Sequence, residues 1–306
     1  MVRNNKLLAV FLVVLSLFLL AGCGQNESKA TDQTGDTASQ MQSIKLGGSS
    51  TLAPVVAQCA DSFTEEYKTW NKVDPQLPEE PIVIFVSTGG SGFGVKAALD
   101  DTVDIGMVSR EIKDEEKEKM PEGKIFKLGS DALTMAVHPR NEVMQVKPDL
   151  TTDEIKSIFA GEIKTWKELD VKLLGNSIVL AIRDLGGGAS QVFDEFIMKG
   201  TPVAKEAIQL PSMGALAGKV MENQNAIGYV SFGLVKQNEG QLGVLKVDGV
   251  TPTLETISSG EYKIARPLLL ITKDAPNTKE QLFIDYLLSD EGLKVVEEMG
   301  FVPAAN

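Results

Sequence analysis

The sequence predicts an α/β fold with largely parallel sheets, and three observations point to it. From Ile44 onward, apolar runs of strand length alternate with stretches whose apolar residues recur every three or four positions. Several junctions from strand to helix are turns of Gly and Ser, and in such folds ligands bind beyond the carboxyl ends of the strands. No repeat runs at a solenoid period, so the alternation belongs to packed layers.

The elements follow in chain order. Residues 1–22 read as a lipoprotein signal peptide: Arg3 and Lys6, then an apolar run from Leu7 to Leu20 broken only by Ser16, then Leu20-Ala21-Gly22-Cys23. The run is shorter than the roughly 20 residues of a spanning helix, which disfavours a transmembrane anchor. Cleavage before Cys23 would leave a lipidated cysteine at the start of an extracytoplasmic protein anchored to the cell membrane. Residues 23–43 are small and polar and read as a disordered tether. Strands are predicted at 44–46, 82–86, 103–108, 133–137, 178–182, 227–232 and 267–271. Helices are predicted at 53–70, 94–99, 152–159, 190–198, 213–222, 279–288 and 291–299. The helix at 152–159 carries a capping signal, Thr151 or Thr152 ahead of Asp153 and Glu154.

Composition narrows the function. The formal charge is −12 and becomes more negative when Arg3 and Lys6 leave with the leader. That balance argues against nucleic acid and anionic lipid headgroups as partners. It leaves a small anion open, because local dipoles and one buried arginine outweigh a distant surface charge. With Cys23 committed to lipid, Cys59 has no disulfide partner in its own chain. It stands at helical spacing from Val56, Phe63 and Tyr67 and reads as a small buried apolar residue. His138 is the single histidine, so a Ser-His-Asp triad or a histidine zinc site has only that residue to draw on. No Gly-Lys-Ser or Gly-Lys-Thr occurs, so a nucleotide-hydrolysing loop is not expected. The protein reads as a monomeric binding protein, neither an enzyme nor a carrier of a metal or organic cofactor.

Four segments place Gly, Ser or Arg where a strand ends: Gly47 to Thr51, Gly89 to Gly92, Ser109-Arg110, and Arg183 to Gly188. In the glycine-rich cases the chain enters a helix whose first N–H groups lack partners inside it, and the aligned peptide dipoles make that end electropositive. Arg110 and Arg183 add guanidinium groups suited to a bidentate grip on an oxyanion. Plain readings stand beside these. Each Gly-Ser turn also reads as an ordinary N-cap, Arg110 as a partner of Glu111 or Asp114, and Arg183 as a partner of Asp184 or another interlobe carboxylate.

The order of five motifs adds a resemblance. GSSTLAP from Gly48, STGGSGFGVKAAL from Ser87, TVDIGMVSREI from Thr102, IFAGEIKTWKEL from Ile158 and NAIGYVSFG from Asn225 together resemble the extracytoplasmic phosphate-binding proteins of the high-affinity phosphate ABC importer. The resemblance implies a two-lobed type II periplasmic-binding-protein fold with two hinge strands, near 130–137 and 264–271. Lobe one would comprise residues 44–130 and 264–306, and lobe two residues 131–263. It implies capture of inorganic phosphate between the lobes and delivery to a membrane permease. Ser50 and Thr51 match the first phosphate loop, Ser91 the second, and Arg183 the arginine that opens R-x-x-G-S-G-T. Gly187 and Ala189 stand where the family has Ser and Thr, so two hydroxyls are missing, while Gly187, Gly188 and Ala189 keep their amides and Ser190 follows. Ser109-Arg110 stands where some members carry an Asp that accepts a ligand proton. These departures keep sulfate, molybdate or tungstate open as the ligand, and with them a surface sensor that does not transport.

Overall fold

Among the described residues, eleven strands carry the architecture: β1 (Ile44–Gly48), β2 (Ile84–Thr88), β3 (Ile105–Val108), β4 (Lys124–Val137), β5 (Asp149–Leu150), β6 (Val179–Arg183), β7 (Ile208–Leu210), β8 (Ala226–Ser231), β9 (Gly243–Val247), β10 (Ala265–Thr272) and β11 (Val302–Pro303). The computed structural model describes residues 43–305, all within the unit Met41–Asn306. The leader, Cys23 and the tether up to residue 42 lie outside the described residues. Along the main path the order is β2-β1-β3-β10-β4-β8-β6-β7, with β11 and β9 also pairing with β4 and β5 pairing with β9. No helix among the described residues is long and apolar enough to cross a membrane.

Apolar side chains gather in distinct cores. One contains Leu46, Phe63, Trp70, Leu268 and Phe283, with a smaller neighbour around Val95, Val108 and Ile271. Another contains Leu133, Phe159, Phe193, Leu216 and Tyr229. The strand β4 supplies Leu128 to the first and Ala132 to Val137 to the other, and β10 leads from Ala265 beside the second core to Leu268 and Leu270 in the first. These two strands therefore run from core to core.

The helices follow the apolar pattern that predicts them. The helix Ala53–Tyr67 buries Val56, Cys59, Ala60 and Phe63 along one stripe and has Pro in its first turn, where the missing N–H costs nothing. Thr151 resolves the alternative at the helix Thr152–Ala160: its Oγ1 accepts from the Glu154 amide, while Glu154 takes the Thr151 N–H. Cys59 is fully buried, and burial pushes its thiol up to about 12.

Beyond shifts of a few residues at helix ends, such as 53–70 closing at Tyr67 and 94–99 opening at Ser91, three expectations change. The sheet is mixed rather than largely parallel: β1 pairs parallel with β2 and β3, and β6 with β7 and β8, but β4 runs antiparallel to β10, β8, β9 and β11, and β10 antiparallel to β3. The cause is topological, since the chain leaves the first core on β4 and returns on β10. The strand predicted at 133–137 begins nine residues earlier, because Lys127, Gly129, Ser130 and Asp131 interrupt the apolar pattern. The strand predicted at 227–232 ends at Ser231, and Phe232 opens the helix Phe232–Gln237.

Candidate functional site

The first loop is shaped by Ser49. Its amide donates to the Met107 carbonyl at 2.8 Å, and its Oγ accepts the Thr51 and Leu52 amides at 3.2 and 3.3 Å as the chain enters the helix Ala53–Tyr67. The second loop follows β2. The amides of Gly89 and Gly90 both donate to the Gly48 carbonyl, and Gly90, at φ 84°, turns the chain into the helix Ser91–Leu99. The third loop puts Ser109 directly after β3. Ser49 Oγ donates to Ser109 Oγ at 2.9 Å, Ser91 Oγ accepts the Ser109 amide at 3.0 Å, and the Ser91 and Ser109 hydroxyls lie 3.3 Å apart. All three hydroxyls are buried.

Arg183 arrives from the other core, at the end of β6. Its amide donates to Tyr229 Oη at 2.9 Å, its Nε to the Leu210 carbonyl at 3.1 Å, and its Nη2 to Pro211 O and Asp184 Oδ1 at 3.0 and 2.8 Å. Its Nη1 crosses to Ser50 Oγ at 3.1 Å, and the same oxygen accepts the Met213 amide at 3.2 Å. The glycine turn behind Arg183 also crosses, because the Gly92 amide donates to Gly186 O at 3.3 Å. A Cβ on Gly188 would stand 2.3 Å from Ser91 Oγ, so a side chain at this position would force the loops apart. Ser50, Ser91, Ser109, Arg183 and Gly188 are therefore gathered where loops from both cores meet, and Thr51 joins them through Arg266 of β10, which donates to both Thr51 Oγ1 and Ser109 Oγ.

Arg110 stands apart from this group. Its guanidinium clasps Glu116 in a bidentate pair at 2.8 and 2.7 Å and donates to the Glu111 carbonyl at 2.7 Å. The partner is neither the Glu111 nor the Asp114 carboxylate but Glu116, two residues beyond Asp114. Burial would raise the Glu116 carboxyl, but the hydrogen bonds from Arg110 and the Lys113 amide and their positive charges outweigh it and hold the group below its ordinary range. Ala189 is buried within the helix Gly188–Phe193, and a Cβ on Gly187 would meet Arg183 Cζ at 3.0 Å. Ser190 Oγ donates back to the Arg183 and Asp184 carbonyls at 3.0 and 2.8 Å, so its proton serves the turn itself rather than replacing the missing hydroxyls.

Sequence reasoning missed a buried ion pair beneath the loops. Arg266 on β10 lies opposite Asp131 on β4, with Nε and Nη2 donating to Asp131 Oδ2 at 3.0 and 2.8 Å. Both side chains are essentially sealed from solvent, at 1% and 0% exposure. Burial pulls Arg266 below the ordinary arginine range, and the Asp131 charge and hydrogen bonds oppose that pull. Nη2 also donates to Thr51 Oγ1 at 3.0 Å and Nη1 to Ser109 Oγ at 3.3 Å. The available signal was a charge inside an apolar run, at Asp131 and again at Arg266.

Residues 27–291 match the model of the PBP superfamily domain. A phosphate-binding protein PstS of Staphylococcus haemolyticus is 30% identical over 299 residues, covering 93% of this chain and 88% of the relative. The PstS of Bacillus subtilis is 28% identical over 311 residues, covering 99% and 96%. Among solved structures, a Clostridium perfringens substrate-binding protein assigned to phosphate ABC transport, with phosphate bound, superposes with a TM-score of 0.74. It is 30% identical and covers 86% of this chain and 100% of its own. A domain match across most of the length, joined to a 30% identical relative aligned nearly end to end, means that the chain belongs to the PBP superfamily and, within it, to the PstS family of phosphate-binding proteins.

Proposed function

We propose that this chain captures inorganic phosphate between two lobes and hands it to the permease of an ABC importer. The observation that carries the reading is the meeting of Arg183 from one core with Ser50 from the other, 3.1 Å apart, beside the hydroxyls of Ser91 and Ser109. An anion held there would touch both halves and so favour the closed arrangement. Ser50, Thr51, Ser91, Ser109, Arg183 and the amides of Gly187, Gly188 and Ala189 would be its contacts, while Arg110 would brace its loop. The lobes would be residues 44–130 with 264–306, and residues 131–263, joined by β4 and β10. Titration calorimetry of leaderless protein, refolded to remove carried-over ligand, tests the reading against phosphate, sulfate, molybdate and tungstate. Heat with phosphate is expected, and silence with all four anions would end it.

A second reading, another tetrahedral oxyanion in the same cleft, is favoured by Ser109, which gives a hydroxyl where a proton-accepting carboxylate would select protonated phosphate. Sulfate binding as tightly as phosphate in that titration would establish it. The anchoring reading places the protein outside the cytoplasmic membrane, held by lipid on Cys23. Cys23→Ser should move it from the detergent-extracted fraction to the soluble extracytoplasmic one, and continued retention would contradict the anchor.

A further inference from the structure

Arg266 has five N–H donors, and the structure directs them in two groups. Nε and one Nη2 proton hold Asp131; the rest point at Thr51 Oγ1 and at the carbonyl and hydroxyl oxygens of Ser109, the longest at 3.5 Å. A hydroxyl oxygen that accepts from a guanidinium keeps its own proton for a different acceptor. At Ser109 the count is tighter: Oγ accepts from Ser49 and from Arg266, so both lone pairs are taken and its proton goes to Ser91 Oγ, 3.3 Å away. Ser91 Oγ then accepts both the Ser109 amide and the Ser109 hydroxyl, so its own proton is the one left to donate outward. Asp131 in turn fixes the guanidinium plane, and its Oδ1 takes the Gly233 amide at 3.4 Å from the opposite side.

We infer that Arg266, clamped by Asp131, is a positioning residue for anion capture: it occupies the acceptor sides of Thr51 and Ser109, so that the Thr51 proton and, through Ser109, the Ser91 proton are left for the anion. The pair is neutral as a unit, so its effect on the ligand is to orient dipoles, and the charge that the anion meets comes from Arg183. The role rests on the anion-binding reading above and adds to it a cause for the polarity of the hydroxyls. It also explains why a buried ion pair is kept where apolar residues of similar size would pack with no loss of stability.

The test replaces the pair as a unit. Arg266→Met with Asp131→Leu removes both charges, leaves none buried alone and is expected to fold with an unliganded melting point close to wild type. Phosphate affinity by calorimetry should fall roughly ten- to a hundredfold, because two hydroxyls lose their enforced direction. The same replacement made in a Thr51→Val, Ser109→Ala background should change affinity less than threefold, since the residues it acts through are gone. Arg266→Lys, which keeps the charge but lacks the planar fork, should lose affinity almost as far, and it serves as the variant if the apolar pair does not fold. Unchanged affinity in the apolar pair, or an equal loss in both backgrounds, would overturn the inference while leaving phosphate binding intact. Wild-type protein silent toward phosphate, sulfate, molybdate and tungstate would overturn both.

Discussion

Arg183 shows how much one side chain can be asked to do. Its guanidinium holds the Leu210 and Pro211 carbonyls, pairs with Asp184 and reaches Ser50 across the cleft. Truncation therefore has two costs that separate experimentally. Arg183→Ala should reduce phosphate affinity by at least about a hundredfold, through loss of its charge and of the Nη1 donor at the meeting of the loops. Thermal unfolding without ligand should also fall, by roughly 1–3 kcal/mol, because carbonyls in its shell lose their partner. Binding that survives with only the melting point lowered would make Arg183 structural. The same crowding decides Gly187. A serine there would press on Arg183 Cζ from 3.0 Å, while four protein acceptors hold the guanidinium in place. Gly187→Ser is expected to weaken phosphate binding several-fold by pushing Nη1 off Ser50. A tighter complex in the same titration would show that the added hydroxyl outweighs the displacement. At this scale the turns that hold Ser50, Ser91 and Arg183 were legible from their motif spacing, and the fold brings those turns together. The sequence hid Arg266 and Asp131, since a pair on neighbouring strands 135 residues apart leaves no local pattern.

Among the elements, the short helix Asp114–Lys117 is defined by the pair that Arg110 makes with it. Glu116 closes a capping arrangement on the Lys113 amide at 3.0 Å while its carboxylate takes both guanidinium nitrogens. Because its folded pKa lies below the ordinary value, the pair contributes stability above the carboxyl range and loses it as pH falls through the depressed folded value. Glu116→Gln should therefore cost roughly 1.5–3 kcal/mol at neutral pH, and the gap from wild type should close in acid. Denaturant titrations at several pH values check this, and a gap that persisted in acid would assign the effect to packing. Long amphipathic helices such as Ala53–Tyr67 and Met213–Glu222 were legible from apolar spacing, and β3 and β6 from their compact apolar runs. The first nine residues of β4, the whole of β9, and four-residue helices such as Asp114–Lys117 were not. They draw stability from tertiary partners and are too short or too interrupted by polar residues to display a period.

For the molecule as a whole, the question is what links the two cores. Two strands cross between them, and on the cleft side the contacts are few and polar: Arg183 and the Met213 amide on Ser50, and Gly92 on Gly186. The amide bonds are worth about 1 kcal/mol net each and the one from the Arg183 guanidinium roughly 1.5–3 kcal/mol, so protein contacts alone hold the halves together weakly. A ligand that touches both sides shifts such an equilibrium only by its differential affinity for the closed form, and moving it from 1:99 to 99:1 takes roughly a 10,000-fold preference. The measurement is a distance between dyes on Asp61→Cys and Val171→Cys, one beside each core, in a Cys23→Ser background. Asp61 and Val171 are exposed, and the buried Cys59, with its thiol pushed up to about 12, should resist labelling. Phosphate is expected to narrow the distance distribution toward its closed value and to raise unfolding stability by about 2.7 kcal/mol at a hundredfold excess over Kd. Ser50→Ala should keep that stabilisation in part but broaden the distribution without ligand, because the oxygen on which both cross-cleft donors converge is gone. A distribution indifferent to phosphate, in protein that binds it, would mean that the anion is held by one core alone and that the meeting of Arg183 with Ser50 has no part in closure.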